Sequence, residues 1–108
     1  AGIEKQSGTT IEIAHTEVRQ AMAFPESGVS LIERAAETCG LTCMRTKTVC
    51  GHDAIALAAA VPSALMFVPS VGSSAHAPGE LTKPDDLANG VQVLVEILQT
   101  TLSQGGLA

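Results

Sequence analysis

The chain has 108 residues, a net charge of −5 and two aromatic residues, Phe24 and Phe67. That length fits one domain or a piece of one. The acidic balance argues against nucleic acid and anionic membranes as partners, because Lys5, Arg19, Arg34, Arg45, Lys47 and Lys83 are scattered and form no basic stripe. No apolar run approaches the ~20 residues that span a bilayer, and the start carries no signal-peptide pattern. Cys39, Cys43 and Cys50 are odd in number, and no second Cys/His pair completes a structural zinc site. They read as reduced thiols of a cytoplasmic protein.

In chain order, residues 1–8 read as a linker or frayed terminus. Thr9 to Val18 is rich in Thr, Ile and Val, and Ile11 and Ile13 alternate with Thr10 and Glu12, the period of a half-buried strand. Pro25 blocks continuation of any earlier element. Val29, Ile32, Ala35, Ala36 and Cys39 recur at helical spacing, and Gly40 supplies a stop, which predicts a helix over 27–39. Leu41 to Lys47 reads as a second strand. Asp53 can cap a short helix through Ala60, ended by Val61-Pro62. Ala64-Leu65-Met66-Phe67-Val68 is an all-apolar run that reads as a buried strand. Thr82-Lys83-Pro84-Asp85 resembles a capping box, with Thr82 as cap. It opens a helix whose stripe is Leu87, Val91, Leu94, Leu98 and Leu102, with Gly105-Gly106 as its stop. The expected fold class is therefore α/β: a small, largely parallel sheet of about three strands near 9–18, 41–47 and 63–68, with helices near 27–39, 53–60 and 83–104, in a single domain over 9–108.

Two loops carry the chemistry. His76 lies just past the buried run, among Ser73, Ser74, Ala75, Ala77 and Pro78, with Glu80 four residues on. Small neighbours leave space around its ring and Pro78 stiffens the loop, which is what a metal-ligating imidazole needs. His52 lies between Gly51, which permits close approach of a ligand to the backbone, and Asp53. His15 reads as a strand residue facing solvent or a neighbour. One or two histidines do not make a catalytic zinc site, for which three protein ligands are the norm. Asp53, Glu80, Asp85 and Asp86 read as helix caps and first-turn charges. No phosphate loop, nucleophile elbow or HExxH is present.

Three landmarks nevertheless occur in order. Gly51-His52-Asp53-Ala54, Met66-Phe67-Val68-Pro69-Ser70 and Ala75-His76-Ala77-Pro78-Gly79-Glu80 resemble segments of the zinc-dependent aminoacylase and carboxypeptidase-type metallohydrolases. The closest branch is the N-carbamoyl-L-amino-acid hydrolases and allantoate amidohydrolases. There the segments read Ser-Gly-Ala-Gly-His-Asp-Ala, Met-Ile-Phe-Val-Pro-Ser and Ser-His-x-Pro-x-Glu. Asp86-Leu87-Ala88-Asn89-Gly90, followed by Val93-Leu94, resembles the start of that branch's last helix. The likeness covers nearly the whole chain and implies the C-terminal part of such an enzyme. It implies that His76 is a metal ligand and that His52, with Gly51 and Asp53, contacts substrate. Zinc or manganese is the cofactor the family would bring, with none or only weak binding in the isolated chain.

The departures are Thr48-Val49-Cys50 where the family has Ser-Gly-Ala, and Ala75 where it has serine. The chain also has no Glu-Glu pair to supply general base and ligand. The leading expectation is a fragment or derivative of a metal-dependent amidohydrolase, acting on carbamoyl or amide C–N bonds and not competent alone, with no catalytic residue of its own. The alternative is a non-catalytic binding or assembly module that kept the fold. Either implies a homo-oligomer, or a partner chain that supplies the missing half. If the loops keep the family geometry, the His52 and His76 rings line one concave surface.

Overall fold

The computed structural model describes residues 2–18 and 20–105. The element order is α1 (Gly2–Ser7), α2 (Glu26–Thr38), α3 (Asp53–Leu57), a 3-10 turn (Val71–Ser73) and α4 (Pro84–Ser103). Gly106, half of the expected stop, lies outside the described residues.

The α/β expectation is corrected here. Among the described residues there is no strand, and the three segments 9–18, 41–47 and 63–68 run outside regular secondary structure. A strand exists only through a hydrogen-bonded neighbour. None of the backbone amides or carbonyls of Ala64–Val68 makes a hydrogen bond with a described residue, and the one backbone–backbone bond in the 41–47 segment runs from Leu41 N–H to Ala36 O, at the end of α2. In the first segment Ile11 N–H goes to the Glu4 carboxylate, 3.1 Å away. Alternation and β-branching express a local preference; they do not provide the ladder.

The helices follow the local signals more closely, with changes at their ends. Pro25 caps α2, and Glu26 sits at its positive end. The helix closes in a Schellman motif. Gly40, at φ 69°, donates to Glu37 O at 2.9 Å, and Leu41 donates to Ala36 O at 2.9 Å. Gly40 is required there because the turn needs a left-handed residue. The cap of α3 is His52, not Asp53, and the helix gives way to a turn after Leu57. The cap of α4 is Lys83, not Thr82. It makes no side-chain cap bond, and Pro84 sits at the first helical position.

Helices α2 and α4 pack on each other and on the Ala64–Val68 segment. Ala35, Ala36 and Val93 form the buried centre, with Cys39, Leu41, Met66 and Ile97 against it. Small residues make the approach possible. A Cβ on Gly90 would lie 2.5 Å from Val68 Cγ1, and one on Gly28 would lie 3.0 Å from Ala64 Cβ. The apolar stripe expected to be the core face of α4 points elsewhere: Leu87, Val91, Leu94, Leu98 and Leu102 are each at least half exposed. The buried face is the neighbouring one, through Gly90 and Val93.

The molecule is therefore an open plate. Its radius of gyration is 19.2 Å, against about 13 Å for a compact chain of this length. Its smallest dimension is 17 Å, little more than one helix of ~10–12 Å laid on a single layer of chain. Beside the core runs an apolar cleft of about 460 Å³, between Pro25, Leu31, Ile32, Pro62, Met66 and Leu94.

One ionic contact holds the 41–47 segment to α2. The Arg45 guanidinium donates to both oxygens of Glu26, at 2.6 and 2.9 Å, and to both oxygens of Glu33, at 2.7 and 2.8 Å. The hydrogen bonds from Arg45, and then from Ser30, lower the Glu26 carboxyl from its ordinary 4.5 to about 2. The Arg45 bonds also lower the Glu33 carboxyl. All three side chains are solvent-accessible, so the contact fixes geometry more than it adds stability.

Two predictions follow from the packing and from this contact. Gly90→Ala gains about 1 kcal/mol of helix propensity but overpacks against Val68, which typically costs about 1–3 kcal/mol. The thermal midpoint should fall, and Val68→Ala in the same chain should recover part of the loss; additive effects in the double-mutant cycle would show that the two sites do not meet. For the ionic contact, a depressed carboxyl pKa means that its contribution is complete above about pH 4.5 and disappears as the pH falls towards about 2. Carboxyl-carbon NMR should place the Glu26 midpoint near 2, and Arg45→Ala should return it towards 4.5.

Candidate functional site

The first loop turns on Thr48. Its Oγ1 accepts the Cys50 N–H at 3.1 Å and lies 3.3 Å from His52 Nε2. The side-chain ring of His52 meets that of Phe67 edge-on, with centroids 5.2 Å apart and planes at 69°. Phe67 belongs to the Ala64–Val68 segment and its side chain is itself half-exposed, so the two rings meet at the surface beside the core. His52 itself has extended backbone (φ −139°, ψ 150°) and caps α3. It is half-buried, while Gly51 and Asp53 are exposed.

The second loop is closed at its base by Val71 N–H donating to Leu81 O at 2.8 Å. Inside it, Ser70 Oγ donates to Ser74 O at 2.9 Å, and the His76 N–H donates to Glu80 Oε2 at 2.8 Å. Glu80 thus ties its own loop and is not a first-turn charge of α4. Ser73 and His76 both have positive φ, 53° and 54°. Such a conformation costs roughly 1–3 kcal/mol in a non-glycine residue, and histidine enters it more readily than most residues. The His76 side chain is exposed.

His52 and His76 are not joined to each other by a hydrogen bond or a ring contact; among the described residues the His52 ring meets Thr48 Oγ1 and the Phe67 ring. Among the described residues no three His, Cys, Asp or Glu side chains gather as a metal-binding group. The described donors of this chain therefore do not make up a catalytic metal site by themselves. Cys39, Cys43 and Cys50 are free thiols. Among the described residues no helix is long and apolar enough to cross a membrane.

The family model for peptidase family M20/M25/M40 matches residues 3–100. This chain belongs to that family. Among curated relatives, the M20 chain is 34% identical over 102 residues to a Mycolicibacterium smegmatis protein described as a hydrolase, covering 94% of this chain and 23% of that protein. It is 44% identical over 48 residues to the allantoate amidohydrolase of Escherichia coli, covering 44% of this chain and 12% of the enzyme. It is 36% identical over 59 residues to the allantoate amidohydrolase of Bacillus subtilis, covering 55% and 14%. The chain thus spans about a quarter or less of the length of these relatives. No solved structure matches it.

Within this M20 chain, the sequence pattern pointed to His52 and His76 but not to Thr48 or Phe67, which position His52. A hydroxyl four residues before a histidine was the available signal for Thr48. Phe67 could not be paired with His52 before the fold was known. For the second loop, Glu80→Ala should release the His76 amide, read as faster hydrogen exchange at that residue. Glu80→Gln, which keeps an acceptor oxygen, should retain most of the protection. Unchanged exchange in Glu80→Ala would show that the contact does not hold the loop.

Proposed function

We propose that this chain is the C-terminal portion of a metal-dependent amidohydrolase of the M20 family, acting on carbamoyl or amide C–N bonds. The observation that carries the reading is the extent of the match: 94% of the chain aligns with 23% of a protein described as a hydrolase. Matches to two allantoate amidohydrolases support the bond class. In this reading His76 is the one metal ligand the chain contributes, for zinc or manganese, while His52 with Gly51 and Asp53 faces the substrate. The remaining ligands and the general base come from an upstream portion or a separate chain. General-base catalysis alone typically contributes about 10²–10⁴-fold. The free cysteines fit a cytoplasmic setting.

A second reading, a non-catalytic binding or assembly module, is favoured by the apolar surface of α4. Leu87, Val91, Leu98 and Leu102 are exposed along one side of a 20-residue helix, an arrangement that marks a contact surface. Under either reading that surface meets the missing portion or a second copy.

The expected outcome is no measurable hydrolysis of N-carbamoyl amino acids or allantoate by the isolated chain, with or without added zinc or manganese. Turnover should appear when the upstream portion of an M20 amidohydrolase is added, and should vanish in His76→Ala. A stable complex without turnover would favour the assembly module. Turnover by the isolated chain would overturn the fragment reading.

A further inference from the structure

Residues 42–47 join the closed end of α2 to the 48–53 loop, and every one of them is exposed. Burial therefore does little to offset the entropy of ordering them. Their backbone makes no backbone–backbone hydrogen bond with a described residue. Within the segment Thr46 Oγ1 meets Lys47 O at 3.5 Å. The hydrogen bonds that leave it for another described element are those of the Arg45 side chain.

Those bonds are forked on both sides of the guanidinium. Nε and Nη2 donate to the two oxygens of Glu33, and Nη1 and Nη2 donate to the two oxygens of Glu26. The two carboxylates stand two helical turns apart on one side of α2. Ser30, between them, donates its hydroxyl to Glu26 Oε1 at 2.9 Å and steadies that carboxylate. A lone exposed ion pair contributes little; a forked arginine within a network of charges is the exception. Thr48 lies three residues beyond Arg45, so at most ~10 Å of extended chain separates them. Thr48 Oγ1 in turn accepts the Cys50 N–H and lies 3.3 Å from His52 Nε2. The fork on α2 thus limits how far this side of the loop can move from the histidine.

We propose that Arg45 is a positioning residue: its double fork on α2 tethers residues 42–50 and holds the Thr48 side of the 48–53 loop beside the His52 ring. The tether stands on these contacts alone. Its use in substrate binding rests on the amidohydrolase reading, in which His52, Gly51 and Asp53 face the substrate. A loop held in place in advance loses less freedom when the substrate arrives, so the tether acts on substrate affinity and not on the chemical step.

The test is backbone ¹⁵N relaxation on the full chain. In the wild-type chain the order parameters of residues 42–50 should lie well above 0.6, towards the ~0.85 of rigid backbone. An NOE should join the Thr48 side chain to the His52 ring. In Arg45→Ala the segment should fall below about 0.6 and the NOE should disappear, while Gly40, Leu41 and α2 stay rigid. Glu26→Ala with Glu33→Ala should reproduce this loss, and adding Arg45→Ala to that pair should add nothing further. A wild-type segment already below about 0.6 overturns the proposal without any variant. A rigid segment in Arg45→Ala, or in the double glutamate variant, overturns it as well. In the complex with the upstream portion, Arg45→Ala should raise KM several-fold with kcat little changed; an unchanged KM overturns the binding half alone. Absence of turnover in that complex fells the amidohydrolase reading and the binding half with it, while the order parameters still judge the tether.

Discussion

Everything positioned in this molecule depends on how closely one unpaired stretch of chain lies against two helices. Ala64–Val68 passes beneath α2 and α4 at distances that leave no room for a Cβ at Gly90 and only a tight fit for one at Gly28. Interiors pack at crystal-like density, so a missing Cβ is occupied by a neighbouring atom. Val68 Cγ1 takes that place at Gly90 and Ala64 Cβ at Gly28. The two glycines therefore set the height of the segment under the helices. Phe67, from the same segment, meets the His52 ring edge-on.

This arrangement buries little. Leu31, Ala35, Ala36 and Val93 are the buried apolar residues among the described residues, and none of the described side chains is completely shut off from solvent. A domain normally needs two packed layers around one core, and a plate 17 Å thin has room for little more than one helix layer. The consequence is visible on α4, which is apolar on two adjacent faces and uses only one of them here. The cleft beside Leu94 joins the unused face to the core. Under the function proposed above, this is the surface that a further portion of the enzyme, or a second copy, covers.

The two histidine loops are built on different principles. The 48–53 loop orients its imidazole through the side chain, with a hydroxyl on one side and an aromatic edge on the other. The 71–81 loop orients its histidine through the backbone, with a carboxylate on the amide and a left-handed φ, and leaves the ring exposed. A ring held by its backbone remains free to meet donors from elsewhere; a ring held by its own nitrogen presents the other nitrogen. That division suits the roles proposed for His76 and His52.

The sequence alone determined the family and the long helices α2 and α4; it read residues 1–8 as a linker or frayed terminus where α1 runs over Gly2–Ser7, and it carried α3 to Ala60 where the helix ends at Leu57. Three short motifs in order were enough for the resemblance, and helix periodicity with its Gly40 and Pro84 signals was local enough to read. It also marked the two loops that carry His52 and His76. The sequence did not determine the strands, because a ladder is a relation between two segments, and Ala64–Val68 has no bonded neighbour among the described residues. It did not determine which face of α4 is buried, because Leu87, Val91, Leu94, Leu98 and Leu102 form the better stripe while the packing uses Gly90 and Val93. Only the tertiary structure decided that choice: hydrophobicity ranks faces by side-chain area, whereas close packing selects the face where the smallest residue lets two backbones meet. For the same reason Thr48 and Phe67 became legible as the supports of His52 only after the fold had brought them there.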